Sequence, residues 1–343
     1  MTFRFIFILC IAIPIAVVSQ EFSQEVNKDQ AAYTFGQIYT GFYLAIKDTY
    51  KPRTAFVFNQ GILGYNRDFS DKVNGKIMFD VTRTTNLYWI KDTAGTWMTY
   101  DYFEGSKYTA YLKMAEITWN ISDAFTLRAG QLLNTQYLTF QDKFWGYRYI
   151  DVTFQEKYRL GMPADFGIQM DYQYKDKFLN QFSIVNGEGP FRYQDSVGNF
   201  IFSDNIQFNP TKNITFKIYG DYGPSPDTGS DAPKTSLAGF AGYKSDKFRI
   251  GGEYVCIYNY GFVNRSNFYG LSVFGSVVLN KYFQALARFD HLTTDSPEAL
   301  RNFNYYIAGI QYEPVQPFAA SINFRYYSLE ALPFIYVNFG LKF

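Results

Sequence analysis

Proton transfer, nucleophilic attack and metal binding all need titratable side chains gathered at one place, and this chain of 343 residues offers few candidates. Its single histidine, His291, follows Asp290, so a Ser-His-Asp site would have to use that one ring. No cluster of His and Cys has zinc-binding spacing. Gly187-Glu188-Gly189 lacks the lysine and spacing of a phosphate-cradling loop. Asp227, Gly229 and Asp231 lie in a stretch rich in Pro, Ser and Asp, without the spacing of an EF-hand. What the chain does supply is isolated charges set between apolar residues. Lys76, Lys113, Arg128, Lys217, Arg249, Arg288 and Arg325 interleave with Asp80, Asp171, Asp221, Glu253 and Asp290. Such a set suits a field acting on passing ions better than a reaction centre. No enzymatic activity and no cofactor are expected.

The elements that must position these charges are strands, because the surrounding residues alternate with a period of two. Ile214, Phe216 and Ile218 share one face, and Thr215, Lys217 and Tyr219 the other. Phe248, Ile250, Tyr254 and Cys256 likewise oppose Arg249 and Glu253, while Phe318, Ala320, Ile322 and Phe324 oppose Asn323 and Arg325. A lysine or arginine facing lipid at mid-bilayer depth costs about 2 to 4 kcal/mol, so the charged face is the interior of a closed barrel. Lys113 and Glu116 share that face only if a bulge intervenes.

The last strand, Phe334 to Phe343, places Ile335, Val337, Phe339, Leu341 and Phe343 outward. Its edge needs a partner, and the first strand, near Phe35 to Tyr43, is the simplest one. Short turns recur at 70–72, 122–124, 175–177, 210–212, 245–247, 280–281 and 314–316. Opposite them lie longer connections near 48–54, 84–105, 133–164, 186–198, 222–234, 260–267, 292–301 and 329–333. Two strands of about ten residues fit between consecutive turns, so about sixteen antiparallel strands are expected, with short turns on the periplasmic side. A barrel of that size leaves a water-filled lumen.

Composition agrees. Aromatics make up 21% of the chain while mean hydropathy is -0.20, as when aromatic girdles accompany faces that cancel in the average. Trp119, beside a short turn, is expected in such a girdle. At the start, Arg4 precedes an apolar run, Phe5 to Val18, too short to span a bilayer and followed by Ser19. Residues 1–19 therefore read as a cleaved secretory signal, 20–32 as a periplasmic segment and 33–343 as the barrel. Without the signal the formal charge is balanced and Cys256 is the one cysteine, so no intrachain disulfide forms. With no basic run, nucleic acid is not an expected partner.

The connection over 133–164 is the strongest functional segment. It is about 30 residues long, a length uncommon without a role. It carries Phe144-Trp145-Gly146-Tyr147-Arg148 and Gln155-Glu156-Lys157-Tyr158-Arg159. The expectation is a constriction folded into the lumen, with Arg148, Lys157, Arg159, Asp151 and Glu156 contributing to its field.

Taken together, the leader, the strand ending in Phe343, Trp145-Gly146-Tyr147-Arg148-Tyr149 and Pro163-Ala164-Asp165-Phe166-Gly167 resemble outer-membrane porins of Bacteroidetes-type bacteria, loosely the phosphate-selective group. That resemblance implies a sixteen-stranded outer-membrane channel, often a homotrimer, whose inward basic residues guide anions. The interleaved acids reduce any phosphate preference to a mild anion bias. Passive diffusion of small hydrophilic solutes or ions is the expected function, with outer-membrane lipids and those solutes as partners. The alternative is a plugged barrel serving as adhesin, secretion component or scaffold.

Overall fold

The computed structural model describes residues 32–91, 97–194, 197–225, 232–295, 302–329 and 331–343, with the backbone alone over 83–107. The leader over 1–19, all of 20–32 except Ala32, and Asp227, Gly229 and Asp231 lie outside the described residues. In chain order come β1 (Ala32–Ala45), β2 (Thr54–Asp68), β3 (Val73–Lys91), β4 (Trp97–Asn120) and β5 (Phe125–Leu133). The segment 134–163 follows, carrying two short helices, α1 (Gln141–Trp145) and α2 (Phe154–Lys157). Then come β6 (Ala164–Tyr174), β7 (Phe178–Val185), β8 (Ile201–Phe208), β9 (Ile214–Gly223), β10 (Lys234–Lys244) and β11 (Phe248–Tyr258). The series ends with β12 (Phe268–Val278), β13 (Phe283–Thr294), β14 (Phe303–Val315), β15 (Phe318–Tyr327) and β16 (Leu332–Lys342). No helix among the described residues is long and apolar enough to cross a membrane.

Each strand pairs antiparallel with its sequence neighbours, and β1 pairs with β16 to close the barrel. The closing register runs from Gln37 opposite Lys342 to Ala45 opposite Phe334. Gly36 and Phe343 add a reciprocal pair of backbone hydrogen bonds at 2.7 and 3.0 Å. Closure leaves no strand edge unpaired, which is the condition for strands to cross lipid. The face assignments follow the alternation: Lys217, Tyr219, Glu253, Asn323 and Arg325 are buried inside, while Phe216, Ile218, Ile250, Tyr254 and Ile322 are exposed outside. Next to the short turns, Phe69, Trp119, Phe125, Phe208 and Phe248 form part of an outward aromatic belt.

Two local features depart from simple alternation. Met78 pairs with Met114 and Phe79 with Leu112, so Lys113 is an extra residue in β4. This bulge resets the parity and lets Lys113 and Glu116, 3% and 7% exposed, both face inward. The irregular connection expected over 84–105 is instead mostly ladder, since β3 runs to Lys91 and β4 begins at Trp97. The Thr, Tyr, Trp and Ile between 82 and 90 suit extended backbone, and pairing continues from Asn86 opposite Tyr102 to Lys91 opposite Trp97.

Candidate functional site

The segment 134–163 turns back into the barrel, and its own chemistry organises it. α1 stops at Gly146, whose φ of 74° is left-handed and whose N–H donates to Asp142 O. The indole N–H of Trp145 donates to Asp151 O at 2.8 Å, closing the turn that follows. Arg148 joins the two helices: it donates to Asp142 of α1 at 2.8 Å and, through two nitrogens, to Glu156 of α2 at 2.6 Å. It also reaches Gln60 of β2 at 2.8 Å. Lys157 bonds Asp151 at 2.8 Å. Burial pushes both loop carboxyls up, but nearby cations outweigh it. Lys157, Arg325 and Arg288 hold Asp151 well below the usual carboxylate range, and Arg148 holds Glu156 below it. Burial lowers the Lys157 ammonium, and Asp151 more than compensates, leaving it raised.

The barrel wall grips this segment with its inward cations. Lys217 on β9 donates to Thr135 O, to Gln136 O at 2.9 Å and to Gln141 Oε1 at 2.7 Å. Arg249 on β11 donates to Phe144 O and Trp145 O, each at 2.7 Å. Arg288 on β13 reaches Val152 O, and Arg325 on β15 reaches Ile150 O at 2.6 Å. Apart from the Gln141 amide, these carbonyls belong to irregular backbone or to the last turn of α1, where internal partners are few, and a charged donor is the stronger way to satisfy them. Between the clamps, loop aromatics sit on wall glycines. A Cβ on Gly242 would lie 2.5 Å from the Phe144 ring and one on Gly340 2.8 Å from Tyr149, while Gly270 lies against the Phe154 ring. Phe144, Trp145, Tyr147 and Ile150 thereby join Tyr39, Phe240, Phe274, Leu286, Tyr305 and Ile307 of the wall in one buried cluster.

The remaining charges divide by partner. Lys113 bonds Asp80 at 2.6 Å with both side chains buried. Arg128 bridges Glu116 and Asp171, the latter at 2.9 Å, and is about a third exposed. Arg288 bonds Asp290 at 2.7 Å, and Asp221 pairs with Lys234 at 3.6 Å. Glu253 accepts from Gln155 at 2.6 Å. Lys76 lies over the Phe35 ring, and Arg159 is exposed at the loop end. Sequence reasoning passed over Tyr39, Gln60 and the wall glycines, which parity places inside but which carry no charge to draw attention, and it gave Gln155 of α2 no role. His291 turns outward to Asn304 at 2.8 Å, whereas Asp290 points inward to Ser272 and Arg288. The strand therefore separates the two neighbours onto opposite faces. Among the described residues no group of His, Cys, Asp and Glu is placed to hold a metal ion.

Open space remains on both sides of the clamped loop. A cavity of about 610 Å³ opens at the loop end, lined by Lys157, Arg159 and aromatic rings. A second of about 300 Å³ lies between Gln60 and Tyr111 on the wall and Arg148, Asp151, Glu156 and Arg325. A third of about 320 Å³ lies toward the turn end beside Tyr149, Glu313 and Lys342. Tyr39 lines both of the last two. A polar interior holding an inward-folded loop, in sixteen closed strands, can be compared with solved barrels.

The fold is that of outer-membrane porins. OprB of Pseudomonas putida in its high-pH structure superposes with a TM-score of 0.66 at 10% identity, covering 92% of this chain and 95% of that one. OmpF of Salmonella typhi, in complex with daunomycin, gives 0.64 at 10% identity over 91% and 97%. An anion-selective porin from Comamonas acidovorans gives 0.62 at 9% identity over 91% and 99%. No protein-family model matches the chain, and no curated protein sequence matches it. At such identities the likeness shows the architecture alone.

Proposed function

We propose that the chain is a bacterial outer-membrane porin that lets small hydrophilic solutes or ions diffuse passively, with a mild preference for anions. The observation that carries the reading is the inward-folded segment 134–163, held on a polar lumen wall with open cavities toward both ends of the barrel. That segment acts as the constriction, with Arg148 lining the middle space and Tyr39 lining both that space and the one toward the turn end. The anion preference is supported by which charges lack ion pairs. Of the ten inward or loop cations considered, Lys76, Arg159, Lys217, Arg249 and Arg325 form no ion pair with a described residue. Of the acids on the same wall and loop, Asp80, Glu116, Asp142, Asp151, Glu156, Asp171, Asp221 and Asp290 form ion pairs, while Asp165, Glu253 and Glu313 form none with a described residue. A net excess of uncompensated positive charge favours anions in a narrow aqueous path. Planar-bilayer recording tests both parts: ohmic steps support the pore, and a reversal potential in a salt gradient gives the sign. A clear cation preference rejects the bias.

The extent of the loop's seating favours a second reading. The loop hydrogen-bonds to wall residues from β9 round to β2, and a barrel so filled could serve as a closed scaffold, an adhesin or a secretion component. Electrical silence from correctly folded protein would support that reading and reject the pore.

A further inference from the structure

We propose that the cavity at the loop end, about 610 Å³, binds organic anions with a flat apolar body, of which aromatic carboxylates are the simplest. As a statement about the solute, the inference rests on the reading of the barrel as a pore. The cavity is lined by Tyr50, Tyr158, Phe268, Phe303, Tyr327 and Phe334, among other apolar residues. These rings support one another. Tyr50 meets Phe334 edge-on at 5.0 Å, Tyr158 meets Phe303 at 5.0 Å, and Tyr327 meets Phe334 at 6.2 Å. Edge-to-face packing fixes their orientation before a ligand arrives.

The polar groups of the lining narrow the ligand class. Apart from phenol hydroxyls they are Lys157 and Arg159; among the described residues no Asn, Gln, Asp, Glu, Ser or Thr lines this cavity. A sugar brings many hydroxyl donors, and beyond the phenol oxygens this lining gives them no side-chain acceptor among the described residues. A saccharide is therefore a poor fit, whereas a planar apolar body is a good one. Lys157 is already bonded to Asp151 at 2.8 Å and lies over the Tyr305 and Tyr327 rings. Arg159 differs, because its side chain is exposed and forms no ion pair with a described residue. Its backbone sits in the left-handed region at a φ of 56°, and Tyr260 donates to its carbonyl at 3.0 Å, which fixes the base of the side chain at the cavity rim. A guanidinium there offers a planar fork to a carboxylate whose ring lies among the aromatics.

Calorimetry on the folded full chain in detergent, with benzoate, acetate and glucose as probes, tests the site. Benzoate should bind saturably and at least about tenfold more tightly than acetate, with no measurable glucose binding. Arg159→Gln should weaken benzoate by about tenfold or more and Arg159→Lys by less. Phe303→Leu, which keeps the site apolar but removes a ring, should weaken benzoate selectively over acetate. Equal affinity for benzoate and acetate, tighter binding of glucose, or an unaltered Arg159→Gln variant would overturn the proposal. Bilayer conductance of the same preparation separates the two readings. An open channel that binds no benzoate rejects the site and keeps the pore, whereas a silent barrel that binds benzoate rejects the pore and keeps the site.

Discussion

Replacing Lys217 by methionine removes one charge from the inner wall and three hydrogen bonds from the loop. The cost of burying the ammonium disappears with it, so the net effect depends on what the loop side loses. Gln136 O keeps a donor in Gln141 Nε2 at 2.8 Å. Thr135 O and Gln141 Oε1 lose the partner that Lys217 gave them, and both residues are buried. Each buried acceptor left unsatisfied costs about 1 to 3 kcal/mol, so losing two destabilises the closed loop by about 2 to 6 kcal/mol relative to a locally opened one in which water replaces the lysine. At about 1.4 kcal/mol per decade, the opened population rises by roughly 30- to 20,000-fold. Backbone pairing in the barrel does not involve these atoms, so the strands should stay protected. Hydrogen exchange resolved by mass spectrometry measures this directly at the α1 amides, where Phe144 and Gly146 donate to Phe140 O and Asp142 O at 2.9 Å. Under the pore reading, conductance noise should rise in parallel. If α1 exchange accelerates by less than about threefold while the barrel remains folded, the wall lysine does not hold the loop and the reasoning fails.

Three further outcomes are expected. Asp151 and Glu156 have depressed pKa values, so their contribution is present above the ordinary carboxylate range and lost only as pH falls through the depressed values; the raised Lys157 contributes below the ordinary lysine value of about 10.4 and is lost as pH rises past its own. Asp151→Asn should therefore weaken loop protection by the same factor at every pH between about 5 and 9, and a penalty that changes inside that window contradicts the assignment. Gly270→Val puts a side chain where the Phe154 ring lies, and overpacking of about 1 to 3 kcal/mol should displace α2 while leaving barrel unfolding nearly unchanged; unaltered exchange at α2 argues against the glycine seat. Asp80→Ala leaves the Lys113 ammonium buried without its carboxylate and should cost about 3 to 5 kcal/mol in urea unfolding; Asp80→Leu combined with Lys113→Met should recover most of that, and a double variant no better than the single one tells against the pair.

The barrel was legible because its determinants are local. Parity along Ile214–Tyr219 or Phe318–Arg325 needs only the fact that a strand turns alternate side chains to opposite faces, and turn chemistry at Ser122-Asp123 or Ser245-Asp246 marks the ends. Lys113 and Glu116 signalled the bulge through the same parity. The stretch 84–105 misled because length was read as looseness, although Thr, Tyr and Trp favour an extended ladder that outlasts the neighbouring strands. What the inward charges meet was not legible at all. Arg249 and Phe144 are 105 positions apart, and a carbonyl acceptor has no side-chain identity from which it could be read. The wall glycines were equally silent, since the same residue can mark a turn, a bulge or a flat seat for a ring.

The clamps and the field are linked by how each cation is satisfied. An arginine paired with a carboxylate, as Arg288 is with Asp290, loses most of its long-range field to its partner. An arginine bonded to carbonyls keeps its full net charge, because a carbonyl answers with a dipole only. Arg249 and Arg325 are of this second kind. Each grips loop backbone and still contributes a positive potential to the lumen. Had the wall used acids to clamp loop N–H groups, the same mechanical purpose would have produced the opposite field. Under the pore reading, then, an anion preference need not come from a basic ladder exposed along the path. It follows from choosing charged donors to satisfy the carbonyls of an irregular loop inside a closed barrel.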